Sequence, residues 1–173
     1  MTTLGVDPGF SITGFGVMRK NQNRVDLLDC GYLKMSSSDS LVTRVGIFYN
    51  FFCEKITTHQ ITHLALETPF LGKNAQTFLK LGYLRGILYL IANQNNIPIF
   101  EFAPKEVKTT VTGFGGASKE QVAVMVTRLF PNLQKNFSLS KHDITDALSV
   151  CLCGVWTAQT QANFSQKILH LRS

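Results

Sequence analysis

Short apolar runs separated by polar turns occupy the first 35 residues of the chain, and they predict β-strands. The runs are Thr2–Val6, Ile12–Met18 and Val25–Met35, and a polar turn at Asn21–Asn23 separates the last two. The connections between these runs are too short for a parallel crossover, which needs a dozen or more residues. The sequence therefore predicts three strands in an antiparallel meander.

After these strands, the apolar positions change to helical spacing. Five apolar residues recur at intervals of three or four, which predicts a helix with one buried face. They are Leu41, Val45, Phe48, Phe52 and Ile56. The serine-rich stretch Ser36–Ser40 directly precedes them and offers candidate N-cap residues.

Strands and helices alternate in the rest of the chain. The predicted elements are a strand at His63–Leu66, a helix at Ala75–Asn95, a strand at Ile97–Phe102, and helices that begin at Pro104, Ser118 and Lys141. This order predicts an α/β fold, in which a mixed five-stranded sheet carries helices on both faces. We expect the last helix to end near Ala158, so that residues 1–158 form a single domain and 159–173 a frayed C-terminal tail.

Composition narrows the class of partner and the cellular compartment. Seventeen Lys and Arg against eleven Asp and Glu give a formal net charge of +6. Such a charge favours nucleic acid as the partner, although a basic protein with no anionic partner has the same composition. None of the four cysteines forms a Cys-x-x-Cys pair, which is typical of free thiols in a reducing compartment. With no signal sequence and no long apolar run, we expect a cytoplasmic protein without a membrane partner.

Four acids occupy positions where the predicted elements bring them together. Asp7 ends the first strand, Glu67 ends the fourth, and Asp143 and Asp146 share one face of the last helix. If the first and fourth strands are parallel neighbours, Asp7 and Glu67 lie side by side. Four converging carboxylates repel one another, and hard divalent cations such as Mg²⁺ or Mn²⁺ relieve that repulsion. Two such ions about 3.5–4 Å apart can hold both reacting oxygens of a phosphodiester.

Each acid also has an ordinary structural interpretation. Asp7 precedes Pro8–Gly9 and fits a turn, Glu67 fits a solvated loop, and the two helical aspartates complement a helix dipole. His142 lies beside Asp143, but a rotation of about 100° per helical residue favours a surface position over a role as ligand or proton donor.

Four blocks of the sequence resemble a known family. They are LGVDPGFSITGFGV, ETPFLGKNAQTFLKLGYLRG, VKTTVTGFGGASKEQVAVMV and HDITDALSV. In this order they resemble the RuvC Holliday junction resolvases of bacteria, within the ribonuclease H-like nucleases. The resemblance implies a Mg²⁺-dependent endonuclease that cuts four-way DNA junctions by paired symmetric nicks, in recombination and repair. It also implies two Mg²⁺ ions per active site, which Mn²⁺ can replace, a 5′-phosphate product, and the RuvA–RuvB branch-migration complex as partner.

The same resemblance implies roles for individual residues. Asp7, Glu67, Asp143 and Asp146 match the metal-binding catalytic acids of the family. Lys108 and Lys119 match basic residues near the cut, and Phe70 matches an aromatic that stacks on or wedges between bases. Lys73 follows Phe70 and is a candidate contact to the DNA backbone. The segment Lys80–Gly86 matches a helix that forms the family's homodimer, while Thr68, Pro69 and Leu84 depart from the usual pattern.

Three other classes compete with this interpretation. An ATPase of the actin and sugar-kinase type also begins with an acid after the first strand, but it needs a second lobe that 173 residues cannot supply. A junction-binding protein without catalysis would be expected to lack an acid, and all four are present. Another ribonuclease H-like nuclease, acting on RNA–DNA hybrids or other branched DNA, has the same acids but not the blocks around Phe70 and Lys119.

Overall fold

The computed structural model describes residues 1–22, 24–69, 74–131, 133 and 141–170, with the side chains of 141 and 162–170 excepted. Its elements are, in chain order, β1 (Thr2–Asp7), β2 (Ile12–Asn21), β3 (Arg24–Lys34), α1 (Leu41–His59), β4 (His63–Glu67), α2 (Ala75–Gln94), β5 (Ile99–Phe102), α3 (Pro104–Thr112), α4 (Lys119–Leu129) and α5 (Lys141–His170).

The strands form a mixed sheet in the order β3-β2-β1-β4-β5. β1, β2 and β3 pair antiparallel, which confirms the predicted meander. β4 pairs parallel with β1, and β5 pairs parallel with β4. In this register Val6 lies opposite Leu66, so the residues that follow them, Asp7 and Glu67, leave the sheet at the same edge.

The two faces of the sheet carry different side chains, because successive residues of a strand point to opposite faces. One face presents large apolar residues to α1 and α2. The core between the sheet and these helices contains Leu4, Val6, Phe15, Val17, Leu64, Leu66, Phe48, Phe52, Leu84, Leu88 and Ile91. The other face is built largely from small residues and is covered by α3, α4 and α5. The prediction of helices on both faces is confirmed.

Glycines on the second face allow α5 to lie directly against the strands. A Cβ atom added at Gly5 would stand 2.5 Å from the Cβ of Cys151 and 2.6 Å from the main-chain oxygen of Ala147. One added at Gly16 would stand 2.5 Å from a methyl carbon of Leu148, and one at Gly14 would overlap the main-chain oxygen of Asp143. These separations are too short for any larger residue, so the glycines fix the height of α5 above the sheet.

The start of α4 agrees with the prediction, whereas the buried face of α1 and the end of α5 differ from it. Ser118 caps α4 and exchanges hydrogen bonds with Gln121, which confirms the predicted capping box. On α1, however, the predicted face is wrong at its start: Leu41 is exposed and Arg44 is buried instead. α5 continues to His170, so the predicted helix end at Ala158 is also wrong and most of the predicted tail is helical backbone.

The four cysteines are free, as their spacing predicts, and Cys151 and Cys153 are buried under the sheet. Within the described ranges, the helices are all too short or too polar to cross a membrane.

The contact between α5 and the sheet predicts the effect of Gly5→Ala. Alanine normally stabilises a strand relative to glycine, but here its methyl group would overlap α5, and overpacking of this kind typically costs about 1–3 kcal/mol. We expect Gly5→Ala to lower the free energy of unfolding by that amount in urea titrations. Gly46→Ala on α1 is the control, because nothing lies within 4 Å of its added Cβ. Equal stabilities of the two variants would contradict the close packing.

Candidate active site

Asp7 and Glu67 stand at the carboxyl ends of two adjacent parallel strands. Each is the last residue of its strand, and each is half-buried. Buried residues precede both acids in their strands, so each acid lies where its buried strand ends. The predicted proximity of Asp7 and Glu67 is thereby confirmed.

α5 supplies two further acids from above the sheet. Asp143 lies in its first turn, where its main-chain oxygen rests over Gly14 of β2. Asp146 lies one turn further on, with a side chain that is 18% exposed. The contact between α5 and the glycines therefore brings the helical acids to the edge of the sheet where β1 and β4 end.

A cavity of about 410 Å³ opens at this edge. Asp7, Glu67 and Asp146 line it together with Lys108 and Lys119. Asp143 is not among the residues of its wall, although its charge acts on Asp7. Phe70 and Lys73, the other predicted DNA contacts, lie outside the described residues.

The carboxylates disturb one another's ionisation. Burial, followed by repulsion from Asp146 and Glu67, raises the pKa of Asp7 from 3.8 to about 7. Burial and then Asp146 also raise the pKa of Glu67, against the opposing charges of Lys119, Lys108 and Arg85. Shifts of this kind mark sites where charge is gathered for chemistry or for binding a cation.

Lys119 partly compensates the negative charge. Its Nζ donates a hydrogen bond of 2.8 Å to Asp146 Oδ2. This bond, and then the charge of Asp146, raise the pKa of the lysine. Lys119 is the first residue of α4, so the capping box at Ser118 that starts this helix also places the lysine at the cavity.

The acids fit a hard divalent cation by their chemistry. All four offer anionic oxygen atoms, the donors that Mg²⁺ and Mn²⁺ prefer. Burial and then the neighbouring carboxylates raise the pKa values of Asp7 and Glu67, so added positive charge would favour the ionised form of these two acids. In the part of the chain that the structure describes, no three histidine, cysteine or carboxylate side chains close on one point as a formed metal site. The carboxylates instead line the cavity with Lys119 bound to one of them.

Arg85 also lines the cavity, although no pattern in the sequence predicted this position. Its side chain is buried on α2 and donates a hydrogen bond of 2.5 Å to the main-chain oxygen of Glu67. It pairs with Glu101 of β5 as well. Sequence patterns could not predict these contacts, because Glu101 and Glu67 lie 16 and 18 residues from Arg85 along the chain.

His142 is exposed, as predicted.

The strand order and the helices on both faces define a ribonuclease H-like fold, and the acids lie at one edge of its sheet. The family model for crossover junction endodeoxyribonuclease RuvC matches residues 3–154. The chain belongs to the RuvC family. Membership in this family favours a junction nuclease over the other ribonuclease H-like classes.

Individual relatives agree with this result. The RuvC of Chlorobium phaeobacteroides is 44% identical over 153 residues, which cover 88% of this chain and 80% of the relative. Thermus thermophilus RuvC in complex with a Holliday junction substrate has a TM-score of 0.82 at 27% identity and covers 93% of this chain and 96% of its own. A yeast mitochondrial Holliday junction resolvase shares the fold, with a TM-score of 0.69 at 16% identity. The match covers 96% of this chain and 83% of the yeast protein.

The raised pKa of Asp7 predicts how stability depends on pH when a chelator keeps the protein free of metal. The protonated carboxyl is the favoured form, so its stabilisation is complete below pH 4 and is lost as pH rises through about 7. Asp7→Asn removes the ionisable group and should raise the free energy of unfolding at pH 8 by up to about 4 kcal/mol, at 1.36 kcal/mol per pKa unit over the shift from 3.8 to about 7.

Urea unfolding at pH 5 and pH 8 measures this difference. Asp26→Asn, in the β2–β3 hairpin and ion-paired with Arg24, is the control and should leave the pH dependence as it is in the wild type. A decline between pH 5 and pH 8 as large in Asp7→Asn as in the wild type would contradict the assignment.

Proposed function

We propose that this protein resolves Holliday junctions by cutting two strands of a four-way DNA junction at symmetric positions, in recombination and DNA repair. The observation that carries the proposal is one cavity lined by Asp7, Glu67 and Asp146 and flanked by Lys108 and Lys119, in a chain of the RuvC family. The Thermus thermophilus relative, whose structure holds a Holliday junction substrate, supports the choice of substrate.

We propose Mg²⁺ as the cofactor, with two ions per active site and Mn²⁺ as a substitute. Asp7, Glu67 and Asp146 would hold the metal, and Asp143 would complete the set from the first turn of α5. Such ions, once bound, supply Lewis-acid stabilisation of the charge that develops on the reacting oxygens. The role of the acids themselves would be to bind and orient the metal ions, because a cation favours their anionic form.

Lys108 and Lys119 are proposed to bind the phosphates next to the cut. Both lie on the cavity wall, and the side chain of Lys119 is 67% exposed. An exposed ammonium on a flexible stem can exchange a carboxylate partner for a phosphate at little energetic cost. Phosphate contacts set the position of DNA on a protein. Roles in DNA binding for Phe70 and Lys73 remain predictions, as does the role of Asp143.

A homodimer is proposed because a four-way junction has two-fold symmetry and one active site can make only one nick at a time. α2 supports this proposal with an exposed apolar stripe. Leu79, Tyr83 and Leu90 are 40–56% exposed and recur at i, i+4 and i+11, with Gly86 between them on the same face. The stripe overlaps Lys80–Gly86, the predicted dimer segment.

The RuvA–RuvB complex as partner and a cytoplasmic location follow from the same proposed function.

Cleavage of a synthetic four-way junction tests the function. In Mg²⁺ we expect paired nicks on opposite strands, and with a chelator binding without cleavage. Asp7→Asn should reduce cleavage by a factor of at least 10³ while junction affinity changes little, because affinity depends on shape and phosphate contacts. Labelled junctions on denaturing gels measure the cuts, and gel shifts measure binding.

Asp26→Asn is the control and should cut at the wild-type rate. Substantial Mg²⁺-dependent cleavage by Asp7→Asn would exclude the proposed site. Cleavage of an RNA–DNA hybrid in preference to the junction would instead place the protein among other ribonuclease H-like nucleases.

The stripe on α2 predicts the effect of Tyr83→Glu on assembly. A charge at the centre of an apolar interface is left without compensation, so we expect a monomer that nicks one strand and no longer makes paired cuts. Sedimentation measures the first result, and a cruciform plasmid, which is linearised only by paired cuts, measures the second. Val42→Glu on α1 changes another exposed apolar residue, 80% exposed, and should remain dimeric. A dimeric Tyr83→Glu would exclude this stripe as the interface.

A further inference from the structure

We propose that Arg85 is a positioning residue for Glu67: its guanidinium fixes the carboxyl end of β4, and so sets where the Glu67 carboxylate stands in the cavity. The inference rests on the proposed function, because it assigns to Glu67 the task of binding metal. Arg85 itself touches neither the reacting atoms nor the Glu67 carboxylate in the contacts described.

The contacts of Arg85 connect three elements. One terminal nitrogen, Nη1, donates to the main-chain oxygen of Glu67 at 2.5 Å, where β4 ends. The other, Nη2, donates to the hydroxyl of Tyr89, one turn along α2, at 3.0 Å, and to the carboxylate of Glu101 on β5. Tyr89 donates in turn to Glu101 at 2.7 Å. Arg85 therefore ties α2 to the ends of two neighbouring strands.

Burial makes this network specific. Arg85 is only 5% exposed, and a buried charge is tolerated when it is paired and hydrogen-bonded. The planar fork of the guanidinium lets it bind a carbonyl, a phenol and a carboxylate at the same time, which a lysine ammonium on a flexible stem cannot do with the same geometry. An arginine is therefore needed here for the geometry of its hydrogen bonds as well as for its charge.

The position of the Glu67 main chain matters because Glu67 is the last residue of its strand. The main-chain N–H of the next residue, Thr68, donates a hydrogen bond of 2.8 Å to the main-chain oxygen of Phe102. The pairing between β4 and β5 ends at this point. Beyond this point the chain is no longer held by the ladder. Arg85 holds the same point from the α2 side, so β5 and α2 together clamp the residue that carries the carboxylate.

The experiment compares Arg85→Gln and Arg85→Lys with Arg128→Gln, an exposed arginine on α4 outside the cavity wall, in the full-length protein. Binding of Mn²⁺ alone is measured by calorimetry, junction affinity is measured in chelator, and cleavage is measured across a range of Mg²⁺ concentrations. Groups that orient metal ligands typically contribute 10–100-fold to metal affinity or activity.

We expect Arg85→Gln to bind Mn²⁺ about 10–100-fold more weakly, in line with that range. Junction affinity in chelator should stay within about twofold of the wild type, and added Mg²⁺ should restore part of the lost cleavage. Arg85→Lys should resemble Arg85→Gln, because it keeps the charge without the fork. Arg128→Gln should match the wild type throughout.

Tyr89→Phe provides a second test if Arg85→Gln does not fold. It removes only the phenolic hydroxyl that accepts from Arg85 and donates to Glu101, at a residue that is 40% exposed, and should weaken Mn²⁺ binding in the same direction by a smaller factor. Wild-type Mn²⁺ affinity in Tyr89→Phe and in every folded Arg85 variant would overturn the proposal, as would full recovery in Arg85→Lys. A wild-type protein that does not cut junctions would overturn the proposed function instead, so the two failures are distinguishable.

Discussion

The direct contact between α5 and the sheet is the constraint on which the site depends. Gly5, Gly14 and Gly16 place no side chains of their own under the helix, so the main chain of α5 and its Cys151 and Leu148 side chains lie directly against the strand backbone. A residue with a side chain at any of these positions would lift the helix or tilt it. The acids of α5 would then move away from Asp7, which is fixed in the sheet. The spacing of the glycines on β1 and β2 therefore helps to position the candidate active site, although none of them carries a functional group.

The same closeness makes the site electrostatically unfavourable on its own. Asp7 is half-buried with Glu67 and Asp146 nearby, and burial and repulsion together raise its pKa to about 7. A protein selected only for stability would neutralise one of these residues. Local rules are commonly broken at functional sites and compensated elsewhere, here by the lysines of α3 and α4. This mutual repulsion is the physical basis of the divalent-cation binding that we propose for the carboxylate set.

Much of this arrangement could be predicted from the sequence because the signals are local. Asp7 and Glu67 directly follow apolar runs, short turns force the first three strands antiparallel, and Ser118 with Gln121 marks the start of a helix. The features that could not be predicted depend on distant partners. Arg44 takes the buried position expected for Leu41 because Phe10 supplies it with a ring and a carbonyl. Arg85 depends in the same way on β4 and β5, and α5 continues to His170 without a local stop signal.

The positive charges around the cavity differ in kind, and burial distinguishes their roles. Arg85 is buried and its terminal nitrogens are bound within the protein, so it has little freedom to turn toward a ligand. Lys119 is largely exposed, and its one described partner, Asp146, belongs to the carboxylate set. A fixed guanidinium suits the task of holding main chain, whereas a mobile ammonium suits the task of meeting phosphate. The candidate site thus combines a buried guanidinium bound within the protein with a largely exposed ammonium.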